Sequence, residues 1–186
     1  MKYTNKHNVP QEIINAINND SYTKGEAIIS VTGLLQPPRI RLLAKEHSDS
    51  LTVDVSDEIW KLLGQSVHNI LERANENNKD TITEQRMFSV VKDWTISGQT
   101  DSIDIKDNIL KDYKVTSVWS IVSAQTEGKA EWEQQLNLYA YLYRKNTGKN
   151  IDGLNIIAIA RDWSKNQYMR NGGNYPPSPI SVIEER

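Results

Sequence analysis

The chain has no cysteine among its 186 residues. That absence excludes disulfides, a thiolate zinc site and a cysteine-ligated iron–sulfur cluster. It fits a cytoplasmic protein. Long hydrophobic runs are missing too. The longest apolar stretch, 154–160, is interrupted by Asn155 and falls far short of the ~20 residues a spanning helix needs. No membrane partner is therefore expected. The opening residues, Met-Lys-Tyr-Thr-Asn-Lys, are polar and lead into no apolar segment, so no signal peptide is read there. Excess positive charge is also lacking: the net charge is −2. Without a bulk basic footprint, any nucleic-acid contact must come from local patches. No Gly-rich phosphate loop or helicase motif is present, so an ATP motor would have to be a separate chain.

What is there suits one domain with a sizeable core, at 38% hydrophobic and 25% charged residues. We read a single domain over 1–186, with an N-terminal extension (1–54), a core (55–163) and a C-terminal tail (164–186). Residues 10–20 form a short helix with Pro10 near its start. Residues 27–35 read as a strand or buried approach halted by Pro37 and Pro38. A long helix is expected over 57–77, capped by Ser56, with Ile59, Leu63, Val67, Ile70 and Ala74 as its buried face. Strands follow at 81–92, 95–106 and 109–119, separated by turns at Asp93 and at Asp107-Asn108. A second helix covers 130–146, ended by Gly148. An interior strand at 151–162 and an extended 180–183 complete an α/β fold with a mixed central β-sheet flanked by helices.

The turn at Asp107-Asn108 gathers charge. Both residues tolerate the left-handed backbone region, as a two-residue hairpin loop requires. Counting outward from such a loop, Lys106 faces Ile109, Ile103 faces Asp112, and Asp101 faces Lys114. Side chains alternate, so Asp101, Asp112 and Lys114 share one face. The two acids then stand about 7–8 Å apart at the backbone, close enough to share an ion. An odd loop length would put Asp101 on the opposite face.

That set has a chemical use. Phosphodiesters repel anionic nucleophiles and hydrolyse very slowly. A divalent cation held by one or two carboxylates screens that charge and acidifies a bound water. A nearby lysine can orient or deprotonate the water. The plain alternative is an exposed hairpin with a cross-strand Asp101–Lys114 ion pair.

Further residues complete an ordered pattern: Gly64-x-x-x-His68, Glu84, Gly98-Gln-Thr-Asp101, Asp112-Tyr113-Lys114 and Gln135-x-x-x-Tyr139. Over roughly 55–163 this resembles the PD-(D/E)XK nuclease superfamily and its RecB-like branch. The upstream SVTGLLQPPR (30–39) is similar to the lead-in of phage-encoded members. The resemblance implies a restriction-endonuclease-like core and a metal-dependent deoxyribonuclease using Mg²⁺ or Mn²⁺. Asp101 and Asp112 would be acidic ligands, His68 an additional ligand, and the Tyr113 carbonyl a further one. Lys114 would be catalytic, with Gln135 and Tyr139 positioning it and touching substrate. Glu84 would either join the metal or face solvent beside Arg86. Arg161 and Lys165 could meet phosphates, with Trp163 stacking on a base, or simply end a solvated strand. The central acid is Asp112 where many members carry Glu, and the missing cysteines exclude the iron–sulfur branches. DNA is the implied partner, with a single-strand annealing protein, a helicase or a second copy of the chain as others. The expected activity is an exonuclease in phage recombination or DNA processing. The alternatives are a structure-dependent endonuclease and a catalytically silent nucleic-acid-binding module on the same scaffold.

Overall fold

A computed structural model of the chain describes residues 2–19 and 25–185. In chain order it comprises β1 (Lys2–Thr4), α1 (Gln11–Asn18), β2 (Ile29–Ser30), α2 (Val31–Leu35), α3 (Pro38–Glu46) and β3 (Thr52–Asp54). A 3₁₀ turn (Val55–Glu58) leads into α4 (Ile59–Asn75), β4 (Thr81–Val91), β5 (Trp94–Asp104) and β6 (Ile109–Thr116). Then come α5 (Val118–Glu127), α6 (Ala130–Thr147), β7 (Gly153–Ala160), α7 (Lys165–Asn171) and β8 (Ile180–Glu185). The expected end of the first helix at residue 20 lies outside the described residues.

The mixed sheet expected from the sequence is present, running β2-β5-β6-β7-β8 with β4 also paired to β5. β2 lies parallel to β5 and β6 parallel to β7; the other pairs are antiparallel. Along β7 every second residue (Leu154, Ile156, Ala158, Ala160) is buried, the alternation a strand requires. They pack with Val118, Ile121 and Ala124 of α5 and with Trp132, Leu136, Tyr139, Leu142 and Tyr143 of α6. The α6 positions recur at helical spacing, and the helix stops at Gly148, whose φ of +73° a glycine adopts without strain. Val31 and Ile183 join the same core. The sheet therefore draws on both segments that the sequence divides off as extension and tail.

Several expectations are corrected. Residues 27–35 are mostly helical, because the Ser30 hydroxyl accepts the Gly33 N–H and caps α2, leaving only Ile29 and Ser30 extended. Pro38 opens α3 rather than halting the chain, since a first-turn proline loses no helical hydrogen bond. Asp54, not Ser56, caps the turn before α4; its Oδ1 accepts both the N–H and the hydroxyl of Ser56. The strand expected to reach residue 119 ends at Thr116, where Ser117 caps α5. The apolar face of α4 is not its inner face. Leu63 and Ile70 are exposed and no α4 residue is fully buried.

The hairpin between β5 and β6 also differs in register. Asp104 pairs with Ile109, Ile103 with Leu110 and Ser102 with Lys111, so the loop has four residues, not two. The Asp104 carboxylate explains the longer loop: it accepts the N–H groups of Lys106 and Asp107, folding them into a turn, while Asn108 takes the left-handed φ of 52°. The loop is still even, so Asp101, Asp112 and Lys114 keep a common parity. Extending the count sets Asp101 opposite Asp112 instead of Lys114.

Candidate metal centre

The site sits where the sheet comes apart. β5 pairs with β4 from Trp94 to Asp104 except at Asp101, opposite Glu84, but its other edge changes partner. β2 covers it as far as Ser97, and β6 takes over only at Ser102. Between them, Gly98, Gln99, Thr100 and Asp101 have no strand partner on that edge. The freed backbone donor of β6 is not left unsatisfied, because the Asp101 side chain accepts the Tyr113 N–H at 2.7 Å. This fork is where the charged groups meet. Gly98 lies at its head, and a Cβ there would stand 2.7 Å from Leu142 Cδ1 and 2.8 Å from Tyr139 Cδ1. Only glycine lets α6 come so close.

Three donor side chains converge from three elements. His68 of α4, Glu84 of β4 and Asp101 of β5 have ligand-type atoms within 4.8 Å of one another. His68 Nδ1 lies 3.3 Å from Asp101 Oδ1 and 3.7 Å from Glu84 Oε1. Its Nε2 lies 3.1 Å from the Tyr113 carbonyl. A carbonyl only accepts, so Nε2 carries the proton of that bond, and Nδ1 faces the two carboxylates. A lone pair aimed at two anions is unfavourable unless a cation or proton lies between them. Burial opposes charge on the ring, yet hydrogen bonds and charge from Asp101 and then Glu84 win, and the His68 pKa is pushed up to about 10. The Tyr113 carbonyl, expected as a metal ligand, here acts as the acceptor that orients the imidazole, an outer-sphere role common for metal-ligating histidines.

Glu84 reaches this point through unusual backbone. Its φ is +48° within a strand whose neighbours pair regularly, Thr83 with Ser102 and Gln85 with Thr100. A non-glycine residue in the left-handed region costs about 1–2 kcal/mol. Gln99 steadies the displaced side chain, donating to Glu84 Oε2 at 2.6 Å while its own carbonyl accepts from Arg86. His68, Glu84, Gln99, Asp101, Arg86 and Tyr139 all line a cavity of about 660 Å³.

The second half of the site is built on α6. Lys114 Nζ lies 2.7 Å from Asp112 Oδ2 and donates to Gln135 Oε1 at 3.1 Å. Gln135 in turn donates to Asp112 Oδ1 and to the Tyr139 hydroxyl. Burial is the largest influence on Asp112 and raises its pKa. Lys114 opposes that shift, and the nearby Asp101 charge adds to it. Asp112 thus contacts Lys114 and Gln135, close enough to Asp101 and His68 to feel their charges.

The remaining expected residues are placed differently. Trp163 is partly buried against the core, its indole N–H donating to the Pro176 carbonyl. Lys165 opens α7, after β7 has ended. Arg161 follows β7 and lays its guanidinium 4.3 Å from the ring centroid of Trp60 on α4. Sequence reasoning assigned no role to Trp60, Gln99 or Arg86. Gln99 lay inside a recognised motif and could have been found; the turned backbone at Glu84 left no mark in the residue order.

The fold is shared with a solved structure, that of SSO0001, at a TM-score of 0.61 and 20% identity, over 94% of this chain and 75% of that one. No family model matches the sequence, and no curated protein matches it. No helix among the described residues is long and apolar enough to cross a membrane.

Proposed function

We propose that this protein is a metal-dependent deoxyribonuclease of the PD-(D/E)XK superfamily, RecB-like branch, acting as an exonuclease on DNA ends. The observation that carries the reading is the fork itself. A His68–Glu84–Asp101 donor group lies beside Asp112, which together with Gln135 holds Lys114. The donor set fits a divalent ion, because two carboxylates and an imidazole nitrogen already point at a common space. Carboxylates suit Mg²⁺ and Mn²⁺ alike, and the imidazole tilts the set toward Mn²⁺.

When bound, such an ion supplies charge screening of the phosphodiester and a more acidic coordinated water. The chain's own residues supply the rest. Lys114 is tied to Asp112, which feels the charges of Asp101 and His68; from there its ammonium would orient the attacking water or offset charge on a phosphate oxygen. Asp112 and Gln135 keep that ammonium in one place, and Tyr139 fixes Gln135. Asp101 links the two halves, since one carboxylate oxygen faces His68 and the other anchors β6 through Tyr113.

The test is cleavage of end-labelled linear and circular DNA with Mn²⁺, Mg²⁺ or EDTA. The expected result is metal-dependent loss of linear DNA, slowed about a hundred- to ten-thousand-fold in Lys114→Ala. Activity that persists in EDTA, or that is undiminished in Lys114→Ala, overturns the proposal. Cleavage of circular DNA at the same rate rejects the exonuclease form.

A further inference from the structure

A polar centre explains the groups around the fork but not the large aromatic side chains left in solvent beside it. Trp60, on the first turn of α4, is 53% exposed, and Trp119, on the first turn of α5, is 59% exposed. Both stand at the same edge of the sheet, around the C-terminal ends of β6 and β7. Arg161, the residue after β7, donates its N–H to the Thr116 carbonyl at the end of β6 and stacks on Trp60. Its neighbour Asp162 accepts the Val118 N–H at 2.7 Å, which fixes the start of α5 and hence the position of Trp119. Neither indole belongs to the hydrophobic core. Two indoles and a guanidinium are thus held on anchored backbone at one rim, two residues of β6 beyond Lys114.

We propose that Trp60, Arg161 and Trp119 form a stacking platform for the unpaired bases of a single-stranded nucleic acid entering the metal centre. This rests on the nuclease reading for the direction of the strand but concerns a separate surface. The chemistry selects the ligand. Indole and guanidinium planes bind the faces of bases, and those faces are open only in a single strand; in a duplex they are covered by neighbouring pairs. Arginine stacked on an aromatic also keeps donors free at its edge for a phosphate. Spacing agrees, because Trp60 precedes His68 by eight residues of α4, about 12 Å along the helix. The platform therefore lies within a few nucleotides of a scissile phosphate at the donor group. With a net charge of −2, the chain has little general attraction for polyanions, and stacking supplies affinity that does not depend on bulk charge.

The experiment measures binding without turnover. Fluorescence anisotropy in EDTA compares a short labelled oligothymidylate with a blunt duplex of equal length, using the whole chain and its Trp60→Leu, Trp60→Phe and Trp119→Leu variants. The wild-type protein is expected to prefer the single strand. Trp60→Leu is expected to lose roughly tenfold in single-strand affinity, with Trp60→Phe recovering most of it and duplex binding moving less than twofold. Trp119→Leu should show a loss of the same kind. Unchanged single-strand binding in Trp60→Leu overturns the platform, as does equal loss on both substrates in a variant that keeps its melting temperature. Because no cleavage is involved, an inactive protein can pass this test, and an active nuclease can fail it.

Discussion

α6 buries Trp132, Leu136, Tyr139, Leu142 and Tyr143, whereas α4, one residue shorter, has no fully buried residue. Both helices bring functional groups to the fork. On the α6 side, Gln135 rides on a helix packed into the core and holds Asp112 and Lys114 of β6 by hydrogen bonds. On the α4 side, His68 is held by polar contacts with Tyr113, Asp101 and Glu84 and by an edge contact with the Tyr113 ring. One half of the site is therefore preorganised by the hydrophobic effect. The other half depends on what compensates two carboxylates. A proton or a divalent ion can do this, and either one fastens α4 to the sheet.

The sharpest way to break this contrast is a matched pair of truncations. Leu142→Ala removes a side chain that is 1% exposed and should cost about 2–5 kcal/mol. Leu63→Ala, on an exposed face of α4, should stay within about 0.5 kcal/mol. Denaturant titration measures both, and equal losses would show that α4 is a core helix after all.

A smaller effect is expected from metal. If an ion fastens α4, Mn²⁺ at a hundred times its dissociation constant should stabilise the protein by about 2.7 kcal/mol. His68→Ala should abolish that gain and, at neutral pH in EDTA, should also lose the stability that the protonated ring contributes. Calorimetry with and without the ion checks both parts. Retention of the full gain in the variant would remove His68 from the donor group.

A pH drift is also expected in metal-free protein. The folded pKa of His68, about 10, stands above the ordinary histidine value of 6.5. Its contribution to stability is then complete below pH 6.5 and is lost as pH rises toward 10. His68→Gln should flatten the drift, and bound Mn²⁺ should suppress it. Melting temperatures across that range provide the measurement.

Much of the fold was legible. The alternation of β7, the period of α6 with its terminal Gly148, and the order of the central strands follow from local preferences that packing reinforces. Where the reading slipped, a short-range hydrogen bond had outweighed the apolar pattern, as with Ser30 capping α2 and Asp104 lengthening the hairpin loop. α4 misled for another reason. Its apolar stripe through Leu63 and Ile70 has the period of a buried face, but the helix turns its His68 side toward the sheet. The candidate site was legible in its residue types. His68, Glu84, Asp101, Asp112, Lys114 and Gln135 all meet at the fork.

The chain's residue order determined by itself which groups could meet, because even loop spacing, helical period and strand alternation are local properties. Which carboxylates face the imidazole was decided only in three dimensions. The change of partner along β5 opens the sheet at Asp101, and the left-handed turn at Glu84 swings a second acid into the gap. Both depend on contacts between segments distant in sequence, whose combined packing outweighs what any local stretch of chain prefers.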